Sequence, residues 1–258
     1  MKRYRAIAQY YDAENARHEM LKHDVPFFLG QLPKKRRQDI LELAVGTARA
    51  AIPLAQAGHR VTGIDYVPDM LDIARRKRDA VGLSDRQLTL IRQDALKLNL
   101  RKKFDWILIL FNTLLAFTTL EELDQLLQGV RRHLKPRGRF WLDVFNPDYA
   151  RFARDSERGI ERDVFHVPEL DRTVFRQSDI TRDMADQRMR VTFRYQWFDA
   201  FGRTKREQFA FDMTCIFPRE LQLLLERNGL QIEHLWGNYD GGAFNRNSPR
   251  MIARCMRK

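Results

Sequence analysis

The stretch that most restricts the fold runs from Ile40 to Asp65, ILELAVGTARAAIPLAQAGHRVTGID. It contains a short apolar run, a turn at Gly46, an alanine-rich segment and a second apolar run that ends in an acid. An apolar strand, a glycine turn and a helix, followed by another strand, form the repeating unit of a parallel sheet covered by helices. The turn also directs backbone N–H groups and the positive end of a helix dipole at one point. The stretch therefore predicts an α/β fold with a binding site for an anionic group.

Strand and helix signals alternate along the first half of the chain. The pattern predicts strands at 40–44, 60–64, 88–92, 106–111 and 139–144, helices at 49–57, 69–81 and 120–133, and a turn at 135–138. Such alternation requires right-handed crossovers, so the sheet is expected to be doubly wound, with helices on both faces.

The pattern changes after residue 146. Apolar and polar residues alternate with a period of two at 189–197 and again at 209–213, which predicts an antiparallel β excursion of about three strands. A helix at 218–228 and strands at 230–235 and 251–256 then complete the sheet. We therefore expect an N-terminal segment at 1–37, an α/β core at 38–150, the excursion at 151–216 and the end of the core at 217–258.

Composition limits the classes of molecule that the protein is expected to bind. The formal net charge is +12, which raises the question of nucleic acid or an anionic membrane surface. The basic residues are spread out, however, and the one dense run, KKRR at 34–37, precedes the first strand. Because no compact basic patch with aromatics is evident, we expect a small-molecule partner rather than nucleic acid.

Location and redox state follow from other features. The longest uncharged apolar-rich run, 106–120, falls short of the roughly 20 residues that span a bilayer, and the N-terminus lacks a signal-peptide stretch. We expect a cytoplasmic protein without membrane contact. Cys215 and Cys255 have no CxxC spacing and no nearby histidine cluster, so two buried free thiols and no metal site are predicted.

The acid that ends the second predicted strand narrows the ligand. Asp65 follows the glycine turn by about 20 residues, where an acid can accept the hydroxyl protons of a ribose. Dinucleotide sites and S-adenosylmethionine sites share this feature. The motif G-x-G-x-x-G is absent, because the turn reads Ala44, Gly46 and Ala48, and the glycine spacing therefore separates the two kinds of site only weakly.

Several segments together resemble the ordered motifs of class I S-adenosylmethionine-dependent methyltransferases. They are ELAVGTAR at 42–49, GIDYVPDML at 63–71, QDA at 93–95 and LKPRGR at 134–139. The resemblance covers almost the whole chain and is closest to the bacterial small-molecule branch that includes glycine and aminosugar N-methyltransferases. It implies a Rossmann-like methyltransferase fold of seven strands with an excursion after the fifth, and an N-terminal helical cover. It also implies S-adenosylmethionine as cofactor, S-adenosylhomocysteine as product and a small-molecule acceptor.

The resemblance assigns cofactor contacts around the first turn. The backbone from Ala44 to Gly46 would line the methionine and ribose portion, and Glu42 would face the amino group through water. Asp65 would hold the ribose hydroxyls. Alanine stands at 44 and 48 where the family usually has glycine, which is compatible with the turn if both alanines keep negative φ and Ala48 starts the helix.

Further contacts are assigned farther along the edge of the sheet. The resemblance implies that Tyr66 and Met70 pack against adenine, that Asp94 accepts from its exocyclic amine and that Ala95 offers a backbone contact. It places Phe111 and Asn112, at the end of the fourth strand, near the sulfonium and the incoming acceptor. It also implies that Tyr11, in the helical cover, binds the cofactor.

Candidates for a general base are few. Asp143 and Asn146 end the fifth strand, at the edge of the sheet where this fold places its substrate, and His166 lies in the excursion. A hydroxyl acceptor needs such a base, whereas an amine needs only to arrive unprotonated. A turn-capping Asp and a surface His are the alternative interpretations.

The sequence is also compatible with two other functions. Asn146-Pro-Asp-Tyr149 resembles the N-P-P-Y motif of enzymes that methylate the amino groups of nucleic-acid bases, but those enzymes place the motif after the fourth strand, where this chain has Phe111-Asn-Thr-Leu. The position therefore argues against that function. The other alternative is a protein that binds S-adenosylmethionine without turning it over. The expected partners are the acceptor and, at most, a second copy of the chain in a homodimer.

Overall fold

A computed structural model describes residues 3–33 and 36–258 of the chain, so Lys34 and Lys35 of the basic run lie outside the described residues. The strands of the main sheet are β1 (Asp39–Leu43), β2 (Arg60–Asp65), β3 (Leu88–Arg92), β4 (Phe104–Ile109), β5 (Leu134–Phe145), β10 (Leu230–Trp236) and β11 (Arg250–Arg257). The excursion consists of β6 (Ser156–Val167), β7 (Arg172–Asp183), β8 (Arg188–Phe198) and β9 (Thr204–Thr214). The α-helices are α1 (Arg3–Asn15), α2 (Asp24–Gln31), α3 (Ala51–Gln56), α4 (Pro68–Ala80), α5 (Leu120–His133), α6 (Tyr149–Phe152) and α7 (Pro218–Arg227).

The main sheet has seven strands in the order β10-β11-β5-β4-β1-β2-β3. Strands β1 to β5 pair in parallel with their neighbours, whereas β11 runs antiparallel to both β5 and β10. The chain order reverses between β1 and β4, which makes the carboxyl ends of these two strands the natural place for a ligand. The predicted doubly wound, mainly parallel sheet is confirmed.

The excursion has four antiparallel strands in the order β6-β7-β8-β9, so the prediction of about three strands is wrong. The strand most easily missed is β6, in which only Phe165 and Val167 are buried. Because most of β6 lies in solvent at the edge of the sheet, its sequence carries no continuous apolar alternation.

The predicted turn at 135–138 falls inside β5, which begins at Leu134. Pairing with β4 shifts there from Phe104 opposite Leu134 to Trp106 opposite Arg139. The extra residues of β5 therefore form an irregularity in a continuing strand. The Pro-Arg-Gly sequence of this irregularity is typical of a turn, which explains the prediction.

Helices cover both faces of the sheet and create two cores. Leucines of α5 and α7 pack on one face, while α2, α3 and α4 cover the other. A third core joins α1 to the excursion through Ile7 and Tyr10, which contact Phe165, Val174 and Tyr195. Helix α1 therefore lies between the main sheet and the excursion.

Three further observations bear on the predictions from composition. Cys215 and Cys255 are free and buried, as predicted. None of the helices that the structure describes is long and apolar enough to cross a membrane. Within residues 3–33 and 36–258, no three His, Cys, Asp or Glu side chains are grouped so that they could hold a metal ion.

Candidate active site

The turn after β1 has an unusual backbone. Ala44, Gly46 and Ala48 have φ values of 53°, 53° and 62°. The expectation of negative φ at the two alanines is therefore wrong, and α3 begins at Ala51 rather than at Ala48. A left-handed conformation costs about 1–2 kcal/mol for an alanine. Strain of this kind is typically retained where a backbone must fit a ligand.

Asp65, at the end of β2, is joined to this turn. Its buried carboxylate accepts from the backbone N–H of Gly46 through Oδ2 and of Val67 through Oδ1, each at 2.9 Å. Burial raises the pKa of Asp65, while the backbone hydrogen bonds oppose the rise. Strand β2 can approach the turn because residue 63 is glycine, where a Cβ would lie 2.7 Å from Cγ2 of Val45. Since each carboxylate oxygen accepts more than one bond, Asp65 can also accept from hydroxyls.

Glu42, on β1, is buried beneath the same turn. Its Oε2 receives no hydrogen bond from any residue the structure describes. Burial raises the pKa of Glu42 to about 8, although the nearby Arg49 guanidinium acts in the opposite direction. Arg49 is itself paired with Asp24 of α2, with 2.9 Å between Nη1 and Oδ1. A buried oxygen without a partner is rare and marks a place where a donor belongs.

Helix α1 closes over the turn. The ring of Tyr11 lies against it, since a Cβ added to Gly46 would be 3.9 Å from Tyr11 Cε1. Burial raises the pKa of Tyr11 to about 12. The neighbouring Asp12 accepts from Thr47 Oγ1 at 2.6 Å and from Lys77 Nζ at 2.8 Å. The cover is therefore bonded to the turn that it covers.

The residues predicted to surround adenine follow β2 and β3, which are neighbours in the sheet. Tyr66 is 38% exposed, whereas Met70 is buried against α1. Ala95 is buried, and Asp94 caps a short 3-10 helix by accepting from Leu96 N at 2.9 Å. The structure thus brings these positions to the same end of the sheet as Asp65.

The segment after β4 has a second strained turn. Phe111 and Asn112 have φ values of 50° and 61°. The N–H of Phe111 donates to Asp143 Oδ2 at 3.1 Å, and the N–H of Asn112 donates to the Asp143 carbonyl at 3.0 Å. Asn112 Oδ1 accepts from Phe145 N at 2.8 Å. These bonds fix the turn to the end of β5.

Asp143 has a different environment from the one a general base needs. Its carboxylate is almost fully buried and accepts from Arg250 Nε and from the hydroxyl of Tyr239, each at 2.5 Å, in addition to Phe111 N. Arg250 Nη2 also donates to Oδ1, so each oxygen of Asp143 accepts two hydrogen bonds and no position is free for a substrate proton. The geometry contradicts the prediction of Asp143 as a base.

The other two candidates are also placed away from proton transfer. Asn146 uses its side-chain Nδ2 and backbone N to bind the carbonyls of Ser248 and Pro249, at 2.8 and 3.0 Å. His166 is exposed and lies on the face of β6 opposite Phe165, which packs in the core shared with α1. His166 therefore points to solvent, and its role as a base stays a prediction.

Tyr239 and Arg250 were missed by the sequence analysis. They lie in the segment YDGGAFNRNSPRMIARC, to which the sequence analysis assigned no functional residue. Their partner Asp143 is 107 residues away from Arg250, so no local pattern indicates the contact.

Comparison with known proteins identifies the family. The methyltransferase domain family matches residues 40–138, which include the turn, Asp65 and the residues near β3. The cypemycin N-terminal methyltransferase of a Streptomyces species is 30% identical over 213 residues, which cover 83% of this chain and 80% of that protein. The chain belongs to the S-adenosylmethionine-dependent methyltransferases. Its cofactor is therefore S-adenosylmethionine, and its chemistry is methyl transfer.

Solved structures support the fold of this methyltransferase. An S-adenosylmethionine-dependent methyltransferase from Clostridium acetobutylicum superposes with a TM-score of 0.77, 19% identity and 98% coverage of both chains. CalS10, an amino pentose methyltransferase from Micromonospora echinaspora with S-adenosylmethionine bound, gives a TM-score of 0.71, 19% identity and 95% coverage of both chains. The likeness extends over the excursion and the helical cover, so the whole architecture is shared.

Proposed function

We propose that this enzyme methylates an amine nitrogen of a small-molecule acceptor at the carboxyl edge of the sheet. The observation that carries the proposal is the environment of Asp143 and His166. The first is buried and fully hydrogen-bonded, and the second faces solvent. A hydroxyl acceptor requires a positioned base, whereas a neutral amine attacks without one.

The names of similar proteins point in the same direction. The cypemycin enzyme is an N-terminal methyltransferase, and CalS10 is an amino pentose methyltransferase. Both names specify an acceptor that bears an amine or an amino sugar. They support the amine without identifying the molecule that carries it here.

The residues around the first turn fit the cofactor. The unpartnered Oε2 of Glu42 would receive the amino group of the methionine portion, directly or through water. Gly46 and the adjoining backbone of Ala44 would line the ribose, whose hydroxyls would donate to Asp65. Tyr66, Met70, Asp94 and Ala95 would surround adenine, and Tyr11, Phe111 and Asn112 would lie toward the acceptor.

S-adenosylmethionine, when bound, supplies a methyl group on a positively charged sulfur. The protein's own task is to align the amine behind that methyl group and to exclude water, and positioning of this kind is worth on the order of 7–11 kcal/mol. Helix α1, bonded through Asp12 to Thr47 and Lys77, covers one side of the site. The excursion would form the other wall and would set which amines enter.

The nucleic-acid alternative gains no support. The side-chain Nδ2 of Asn146, the first residue of the tetrad, donates to Ser248 O in the segment before β11. The tetrad also follows β5 rather than β4. A cytoplasmic location and a homodimer remain predictions, and sedimentation equilibrium would measure the second.

The test begins with calorimetric titration of S-adenosylhomocysteine, with NAD as control. A panel of amines and a matched panel of the corresponding alcohols would then be incubated with labelled S-adenosylmethionine, and the products analysed by mass spectrometry. We expect uptake by amines alone, at a rate that rises with pH as each amine loses its proton. Uptake by alcohols alone would overturn the proposal, and cofactor binding without any uptake would indicate a non-catalytic protein.

A further inference from the structure

The strained turn at Phe111 and Asn112 requires something to hold it. Two consecutive non-glycine residues with positive φ cost of order 1–3 kcal/mol each and persist only where their surroundings over-determine them. The hydrogen bonds from Phe111 N and Asn112 N both end on Asp143. The conformation of the turn therefore depends on the position of Asp143.

Arg250 controls that position. Its guanidinium donates to Asp143 Oδ1 from both Nε and Nη2, and the same Nη2 donates to Asn112 Oδ1 at 3.1 Å. Arg250 is only 3% exposed. It is thus a buried cation that bonds both to the acid that holds the turn and to the turn itself, while Tyr239 holds the other oxygen of Asp143.

Stability alone is a poor reason for such an arrangement. Replacing a buried ion pair by apolar residues of similar volume is often neutral or stabilising, because desolvation offsets the attraction. A lysine would neutralise Asp143 equally well, but it offers a point charge rather than a planar fork that reaches two acceptors at once. The residue type and its double contact indicate a geometric role.

The contacts of Asn112 show what that role is. Its Oδ1 faces two donors, Phe145 N and Arg250 Nη2. Since neither of these groups can accept, the assignment of oxygen and nitrogen in this amide is determined by its neighbours. Its Nδ2 must point the other way, and it donates to no residue within the described part of the chain. Asn112 therefore presents a free NH2 group at the carboxyl end of β4.

We propose that Arg250 is a positioning residue that holds the Phe111–Asn112 turn through Asp143 and orients the Asn112 amide to donate to the acceptor. The oxygen of Asn112 is occupied, so this side chain cannot accept a hydrogen from the substrate amine. It recognises instead an oxygen of the acceptor. Resting on the proposed amine methylation, this assigns the acceptor class as an amine that also carries a hydroxyl or carbonyl oxygen, as in an amino alcohol.

The first experiment tests the positioning role without activity. Hydrogen exchange, followed by mass spectrometry, would be compared at the amides of residues 111–112 in wild type, Arg250→Met and Arg250→Lys. We expect at least tenfold faster exchange in both variants. Arg78→Met, which removes another buried and ion-paired guanidinium from α4, would leave these amides unchanged. Unchanged protection in Arg250→Met would overturn the proposal.

The second experiment separates positioning from stability. Arg250→Lys keeps the charge beside Asp143, so its melting temperature should lie closer to wild type than that of Arg250→Met. Its kcat for amine methylation should nevertheless stay at least tenfold below wild type, with S-adenosylhomocysteine affinity within threefold. If kcat recovers together with stability, Arg250 is merely structural.

The third experiment tests the donor group. Asn112→Asp keeps an oxygen for Phe145 N and Arg250 Nη2 and suits a left-handed residue, but it replaces NH2 by an acceptor. We expect the ratio of kcat/KM for an amino alcohol to kcat/KM for the corresponding alkylamine to fall at least tenfold. Equal losses on both substrates would refute the assignment of the acceptor class. If wild type methylates no amine at all, the proposed function fails, and the exchange experiment still decides the role of Arg250.

Discussion

Asp65 Oδ2 lies 2.9 Å from the backbone nitrogen of Gly46, so the acid that ends β2 is hydrogen-bonded to the turn that follows β1. The same carboxylate accepts from the backbone N–H of Val67, the residue that precedes α4. One side chain thus joins the ends of two neighbouring strands and the helix after the second. A ribose that binds Asp65 would meet an acceptor whose position is already fixed, which lowers the cost of ordering it on binding.

Replacing Asp65 should therefore affect both binding and stability. We expect Asp65→Ala to weaken S-adenosylhomocysteine binding at least tenfold, about 1.4 kcal/mol. The N–H groups of Gly46 and Val67 would lose their acceptor, and leaving buried donors unsatisfied costs about 1–3 kcal/mol, so the melting temperature should also fall. Calorimetry and thermal unfolding measure the two effects. Asp72→Ala, an exposed change on α4, is the control, and normal affinity in a folded Asp65→Ala protein would remove the ribose role.

The raised pKa of Glu42 predicts how the stability of the folded protein depends on pH. Its pKa rises from 4.5 to about 8 in the folded protein because of burial. Between these values the unfolded chain has lost the proton and the folded protein keeps it, so stability falls as pH rises through this window, by an amount on the order of a few kcal/mol. Glu42→Gln removes this dependence. We expect its melting temperature to exceed that of wild type by a margin that grows from pH 6 to pH 9.

The control for this comparison is Glu121→Gln, an exposed position on α5, which should follow wild type at every pH. A margin that is constant with pH would show that Glu42 titrates normally.

The same group should couple proton release to cofactor binding. At pH 7 Glu42 is mostly protonated in the free protein, and an ammonium group placed beside Oε2 favours its charged form. Binding of S-adenosylhomocysteine would then release a proton. Titrations in phosphate and in Tris, whose ionisation enthalpies differ, measure the release, and Glu42→Gln should abolish it. Identical heats in both buffers for wild type would place the amino group elsewhere.

The sequence predicted the regular parts of the fold well, because periodicity and capping are local signals. Helix α5 has the bounds predicted for it, and Thr119 and Glu122 form a capping box at its start. The position of Asp65 at a strand end was equally readable. These features depend on residues within a few positions of one another, or on the repeated strand and helix unit.

Features set by distant contacts could not be predicted. The left-handed φ of Ala44 and Ala48 contradicts the intrinsic preference of alanine, in a turn whose Val45 and Gly46 N–H groups donate to β2. The environment of Asp143 depends on Arg250, which the pairing of β11 with β5 brings beside it, and on Tyr239 in the loop between β10 and β11. The sequence therefore indicates which residues are candidates for a base, but it does not reveal whether their oxygens already accept hydrogen bonds.

His166 offers a simple check on the proposed absence of a base. Its imidazole is exposed on β6 and its nearest carboxylate, Asp171, is 3.8 Å away at the following hairpin. We expect His166→Ala to methylate an amine acceptor with kcat/KM within about twofold of wild type from pH 6 to pH 9. If the variant alone loses activity at the acidic or the basic end of the profile of kcat/KM against pH, His166 acts in catalysis.

The strained alanines give a prediction about stability. Ala48 is buried with φ of 62°, a conformation that glycine adopts without the steric cost. Relief of about 1–2 kcal/mol of strain should exceed the loss of about 0.5–1 kcal/mol that a more flexible unfolded chain brings. We therefore expect Ala48→Gly to raise the free energy of unfolding by a few tenths of a kcal/mol or more. Ala74→Gly is the matched control, since Ala74 is equally buried but helical, and it should lower the free energy of unfolding by about 1 kcal/mol. Urea denaturation measures both, and destabilisation of similar size in the two variants would show that Ala48 is not strained.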